Sequence, residues 1–158
     1  LMGRQLELLE EISRLGKPVV LVLIKGRPLL MEGAIQEAEA IVDAWYPGMQ
    51  GGNAVADVLF GDYNPAGRLT LSVPRSVGQL PVYYNTRRKG NRSRYVEEPG
   101  TPRYPFGYGL SYTTFSYTDM KVQVTEGSDD CRVDVTVTIQ NQGTADGDEV
   151  HNSISGMT

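Results

Sequence analysis

Apolar residues recur at helical spacing from the start of the chain. Leu6, Leu9, Ile12 and Leu15, with Leu8, fall along one side of a helix from about Arg4 to Leu15, and Glu7, Glu10, Glu11 and Arg14 lie largely on the wet side. Gly16 and Pro18 end it. The run PVVLVLI that follows has no alternation and is rich in β-branched residues, the pattern of a strand buried on both faces of a parallel sheet. Lys25, Gly26, Arg27 and Pro28 turn the chain out of it. A helix over Leu29 to Glu39 and a second apolar run, Ala40 to Trp45, come next, and the order helix, strand, helix, strand, helix predicts an α/β sheet. With two or three strands visible where such an open sheet usually has about five, the predicted sheet is incomplete.

The stretch Tyr46 to Pro74 is the least generic. Gly48, Gly51 and Gly52 permit a tight, exposed turn. Asn53 reads as the N-cap of a short helix that buries Val55, Val58 and Leu59 and stops at Gly61. Asn64, Pro65, Ala66 and Gly67 have the residues of a type I turn, and Leu69, Leu71 and Val73 alternate with Thr70 and Ser72 as in a strand buried on one side, closed by Pro74. A Gly-rich loop before a helix could also cradle phosphate. The strand-GxxxxGK[ST]-helix order is absent and no Lys or Arg follows Gly52 until Arg68, so structural duty is the preferred reading.

Beyond Leu80 the character changes. Pro81, Pro99 and Pro102, the basic residues Arg87, Arg88, Lys89, Arg92 and Arg94, and the acidic pair Glu97 and Glu98 make a long loop through Arg103, whose charge reads as a solvated face before a ligand contact. Adjacent carboxylates in an extended chain point opposite ways, so Glu97 and Glu98 are rejected as an acid and nucleophile pair. Tyr104, Phe106, Tyr108, Tyr112, Phe115 and Tyr117 form an aromatic belt around Gly107 and Gly109, read as a packed hinge, with sugar stacking as the minority alternative. Val122 and Val124, then Val133, Val135, Val137 and Ile139, alternate as two strands of a half-buried sheet. HNSISGMT carries no alternation, and His151 within it is not expected to be catalytic or metal-binding.

Composition narrows the function classes. The 158 residues fit one domain or two small ones, and 40% hydrophobic content suffices for a core. Fifteen basic and 19 acidic residues leave a net charge of -4, which offers no basic field to nucleic acid or an anionic membrane. The single cysteine, Cys131, excludes an intrachain disulfide and a multi-cysteine metal site. Val19 to Ile24 is too short an apolar run to span a bilayer, and residues 1–17 hold no signal-peptide core.

YPGMQGGNAVADVLFGDYNPAGRL, residues 46–69, resembles a signature late in the second domain of glycoside hydrolase family 3, the retaining β-glucosidases and β-xylosidases. YPFGYGLSYTTFSY, residues 104–117, is similar to that family's passage into a fibronectin type III-like domain. The resemblance implies the C-terminal portion of an α/β sandwich domain over 1–110, a truncated fibronectin type III-like domain over 111–150, and an atypical tail over 151–158. A further apolar strand is expected in the family after a segment like DGDEV, so a frameshift or cloning junction after Val150 is suspected. In the family the nucleophile is an Asp in an N-terminal (β/α)8 barrel and the general acid/base usually a Glu upstream of the segment matching Met2 to Leu15. The chain, starting at Leu1, is therefore expected to begin after the last catalytic element, to contain no catalytic, cofactor-binding or metal residue, and to be inactive alone. The parent would act on oligosaccharide or β-glycoside substrates without a cofactor, in the periplasm or outside the cell. Two other readings stand beside this one: a non-catalytic carbohydrate-binding or interaction module, and a self-sufficient small hydrolase using Asp57 or Asp62, which are more simply a solvent-facing charge and a turn former.

Overall fold

A computed structural model of the chain describes residues 3–85, 99–126 and 131–152. The elements in order are α1 (Gln5–Ser13), β1 (Val20–Ile24), α2 (Glu32–Glu37), β2 (Ala40–Trp45), α3 (Gly51–Phe60), a 3-10 turn at Val77–Gln79, β3 (Phe115–Glu126) and β4 (Cys131–Asn141). β1 and β2 pair in parallel and β3 and β4 antiparallel, so the α/β order expected for the first half is present.

α1 ends near Gly16, whose φ of 64° suits the left-handed conformation that closes helices. α2 is shorter than Leu29 to Glu39 because its end is claimed by the sheet. Ala38 is already extended, the Glu39 N–H donates to the Val19 carbonyl at 3.0 Å, and the Glu39 carboxylate accepts from the Val19 N–H. The core comprises Leu9, Leu23, Met31, Ala34 and Val73, with Leu21, Ile41, Leu69, Leu71 and Tyr104 packed against it. Each fully buried aliphatic side chain contributes about 1.5–3 kcal/mol.

β1 departs from the expectation of burial on both faces. Val20 and Ile24 are exposed, because β2 is its only ladder partner among the described residues and the other edge of β1 is open. The expected strand at Leu69–Val73 is present only in part. Val73 bridges Tyr104, with Val73 N–H to Tyr104 O at 2.8 Å, and Leu69 exchanges bonds with Tyr108 O and Gly107 N–H, so the aromatic belt is its partner. Ser72 is buried, not wet, since its hydroxyl accepts from the Phe106 N–H. No turn forms at residues 64–67, where the Asn64 side chain is bonded to distant backbone instead.

The loop expected over Leu80 to Arg103 has no helix or strand in its described parts, 80–85 and 99–103. Buried Gln79 joins its ends, taking the Arg75 N–H and donating to the Thr101 carbonyl at 2.8 Å. Within the belt, Tyr104 and Tyr108 lie with centroids 4.8 Å apart, and Phe106 stacks on Tyr84 at 4.2 Å.

β3 and β4 form the expected pair of strands, with Tyr117 opposite Ile139, Val122 opposite Val135 and Val124 opposite Val133. These side chains are 40–57% exposed, so the hairpin's apolar strip has no cover among the described residues. The chain beyond β4 returns along β3, where the Tyr117 hydroxyl donates to Glu149 Oε1 at 2.5 Å and Arg68 pairs with Glu149 Oε2 at 2.6 Å. The bond to Glu149, then burial and the Glu149 charge, raise the Tyr117 pKa above its ordinary 10, against an opposing pull from Arg68. Folding favours the neutral phenol, so this contribution to stability is intact below pH 10 and is lost as pH rises through the folded-state value. In a 295 nm absorbance titration of wild type minus Tyr117→Phe, the missing tyrosine should ionise above pH 10 and move back towards 10 in Glu149→Gln; ionisation of Tyr117 at or below 10 would contradict the assigned bond.

Candidate functional site

Parallel pairing places the carboxyl ends of β1 and β2 together, the place where open α/β sheets usually bind ligands. Lys25 leaves β1 there, its side chain only 6% exposed, and its Nζ lies 2.7 Å from Asp43 Oδ2 and 4.0 Å from the centroid of the Trp45 ring. The Lys25 N–H also donates to the Trp45 carbonyl at 3.1 Å. The register slips at this point, from Leu23 opposite Asp43 to Ile24 opposite Trp45, and Trp45 takes a positive φ of 51°, uncommon for a bulky residue. The slip turns β2 abruptly into the loop at Tyr46–Gln50.

That loop is braced at its base. The Tyr46 ring lies where a Cβ on Gly26 would stand, and Pro47 likewise occupies the side-chain space of buried Gly51. α3 begins there, two residues before the expected N-cap: Gln50 is the N-cap, and Asn53, inside the first turn, donates to Gln50 Oε1 at 2.8 Å. Gly61 ends α3 at φ 85°, as expected. The other face of Tyr46 is left largely exposed, and Met49 is fully exposed.

The chemistry available at this end of the sheet is bracing. Lys25 and Asp43 neutralise each other, and Asp43 Oδ1 is buried without a hydrogen-bond partner among the described residues, out of reach of solvent. Two concavities stand out among the described residues. One, of about 260 Å³, is lined by Met31, Ile35, Val73, Arg75 and Arg103 among others; a groove of about 780 Å³ runs along α1 and the open edge of β1, past Leu8, Ile12 and Ile24. Neither is lined by a carboxyl group of the described residues, so neither offers the two-carboxylate arrangement of glycoside hydrolysis.

Asp57 lies exposed on α3 and Asp62 exposed just beyond Gly61. His151 sits 5.9 Å from the Tyr117 ring. Arg87, Arg88, Lys89, Arg92, Arg94, Glu97 and Glu98 lie outside the described residues, as does the side chain of Cys131, which opens β4. No cluster of three or more His, Cys, Asp or Glu placed to hold a metal occurs among the described residues.

Residues 1–112 match the model of the glycosyl hydrolase family 3 C-terminal domain. The chain belongs to glycosyl hydrolase family 3. Over 153 residues it is 48% identical to a periplasmic β-glucosidase of Salmonella typhimurium, an alignment covering 90% of this chain and 20% of that protein. It is 46% identical to a β-xylosidase of Formosa agariphila, covering 95% of this chain and 21% of the relative. A solved β-glucosidase from Erythrobacter marinus superposes with a TM-score of 0.82 at 47% identity, over 90% of this chain and 19% of that one. A β-glucosidase from Listeria innocua solved with gluconolactone gives a TM-score of 0.69 at 40% identity, over 75% and 18%. The chain thus spans about a fifth of the length of these relatives. No helix among the described residues is long and apolar enough to cross a membrane.

The family 3 signature at 46–69 maps onto the braced loop, α3 and the segment after it. The Lys25, Asp43 and Trp45 cluster was not foreseen, since Lys25 reads as a turn residue and Asp43 and Trp45 fall inside the apolar run Ala40 to Trp45. Their positions near the carboxyl ends of two neighbouring strands were the available signal. Lys25→Met leaves a mostly buried carboxylate unpaired and should cost about 3 kcal/mol, whereas Lys25→Met with Asp43→Leu should fall within about 1 kcal/mol of wild type. Urea unfolding followed by far-UV circular dichroism checks this, and equal losses in the single and double variants would refute it.

Proposed function

We propose that the chain is a supporting C-terminal part of a retaining β-glycosidase that removes terminal β-D-glucosyl or xylosyl residues, with the catalytic carboxyl groups outside these 158 residues. Its likeness to about a fifth of proteins named β-glucosidase and β-xylosidase carries this reading. The part would complete the second domain's sheet along the open edge of β1 and brace the cleft, where errors near 1 Å can cost about a hundredfold in rate.

Within this reading, residues 1–110 are the end of the family's α/β sandwich domain and 111–150 the start of a fibronectin type III-like sandwich, followed by the tail at 151–158. The exposed apolar strip of the β3–β4 hairpin suits two strands of a sandwich that has about seven. No catalytic, cofactor or metal residue is assigned in the chain. The periplasmic relative supports a periplasmic or secreted parent, and a net charge of -4 argues against nucleic acid or an anionic membrane as partner.

The purified chain should give no turnover of nitrophenyl β-glucoside or β-xyloside above the enzyme-free rate, and no saturable heat with cello- or xylo-oligosaccharides. Turnover would overturn the proposal in favour of Asp57 or Asp62 chemistry. Saturable heat without turnover would overturn it in favour of a carbohydrate-binding module.

A further inference from the structure

Three stretches that read as separate loops meet at one place. Asn64 Oδ1 accepts from the Ser111 hydroxyl at 2.9 Å and the Tyr112 N–H at 2.8 Å, while its Nδ2 donates to the Asp146 carbonyl at 2.9 Å. The Tyr112 hydroxyl reaches back to the Val58 carbonyl at the end of α3, at 2.6 Å. Arg68, four residues past Asn64, holds Glu149 Oε2 at 2.6 Å, and Tyr117 of β3 holds Glu149 Oε1 at 2.5 Å. Close approach is built in: a side chain on Gly109 would strike the Gly67 carbonyl, and one on Gly147 would strike Asn64.

This junction matters because the regular elements do not do its work. β3 pairs with β4, β1 pairs with β2, and the core of Leu9, Leu23, Met31, Ala34 and Val73 includes no residue of the hairpin. Arg68 and Glu149 are 9% and 13% exposed, unlike the solvated Arg4 and Glu7, so their charges are desolvated and removing one leaves the other uncompensated.

We propose that Glu149 is a latch, a positioning residue whose single carboxylate engages Arg68 from the α/β part and Tyr117 from the hairpin and so sets the orientation of one on the other, with Asn64 as its second point of attachment. The NPAGR, LSYT and DGDE wordings are then parts of one device. The latch does not depend on the glycosidase reading.

Residue-resolved amide hydrogen exchange on the chain tests it. In the wild type the Tyr112 amide is protected by Asn64. Glu149→Ala should speed its exchange at least about tenfold while amides in the middle of α3 change less than about twofold. Adding Arg68→Met to Glu149→Ala should then add less than about twofold more, because the two act as one unit. Glu149→Gln, which keeps the shape and one acceptor, should give a smaller acceleration at the same amide, and decides the matter if Glu149→Ala unfolds the whole chain. An unprotected Tyr112 amide in the wild type, an unchanged one in Glu149→Gln, or multiplicative effects of Arg68→Met and Glu149→Ala would each overturn the latch.

Discussion

The parallel pairing of β1 with β2 is the constraint on which the first half of the molecule depends. A parallel pair needs a crossover, and α2 supplies it, carrying Met31 and Ala34 onto the same core as Leu9 and Leu23. The pairing also places both carboxyl ends at one end of the sheet. Lys25 and Asp43 are 18 positions apart in sequence and would not otherwise meet. Their ion pair is affordable only because the carboxylate and the indole both face the ammonium. The register slip that follows lifts Trp45 into a positive φ and aims the chain into the Tyr46 loop, so the family signature begins where the strand geometry ends.

The second theme is burial on one side only. The groove beside α1 and β1 and the strip along β3 and β4 are two apolar surfaces that the described residues leave uncovered. Relatives about five times as long have more chain with which to cover such surfaces. The described contacts between the hairpin, with the chain that follows it, and Arg68 or Asn64 are polar, and polar contacts are specific in a way that apolar packing is not. Each of Asn64, Arg68, Tyr117 and Glu149 has a defined partner at a defined distance, so the junction selects one arrangement. A carboxylate with both oxygens engaged by different segments is also more demanding than an exposed ion pair, because losing Arg68 strands the Glu149 charge and losing Tyr117 leaves Oε1 without that donor.

What the chain determined by itself was local. Helical spacing located α1, an apolar run bounded β2 at Ala40 and Trp45, and alternation located the hairpin strands, because each signal spans a few neighbouring residues and reflects one face against another. The wording at 46–69 and 104–117 also placed the chain in its family. The tertiary structure decided what local pattern does not encode. Gly51 and Gly52 joined α3 because Pro47 fills the space beside Gly51, which displaced the N-cap from Asn53 to Gln50. Asn64 to Gly67 had turn chemistry but no turn, since Asn64 found partners 47, 48 and 82 positions away. β1 has the composition of a strand buried on both faces, whereas its exposure depends on which neighbours lie beside it. Hydrogen bonds and ion pairs between distant residues leave no periodicity in a sequence, and that is why the junction at Glu149 could be seen only once the chain was folded.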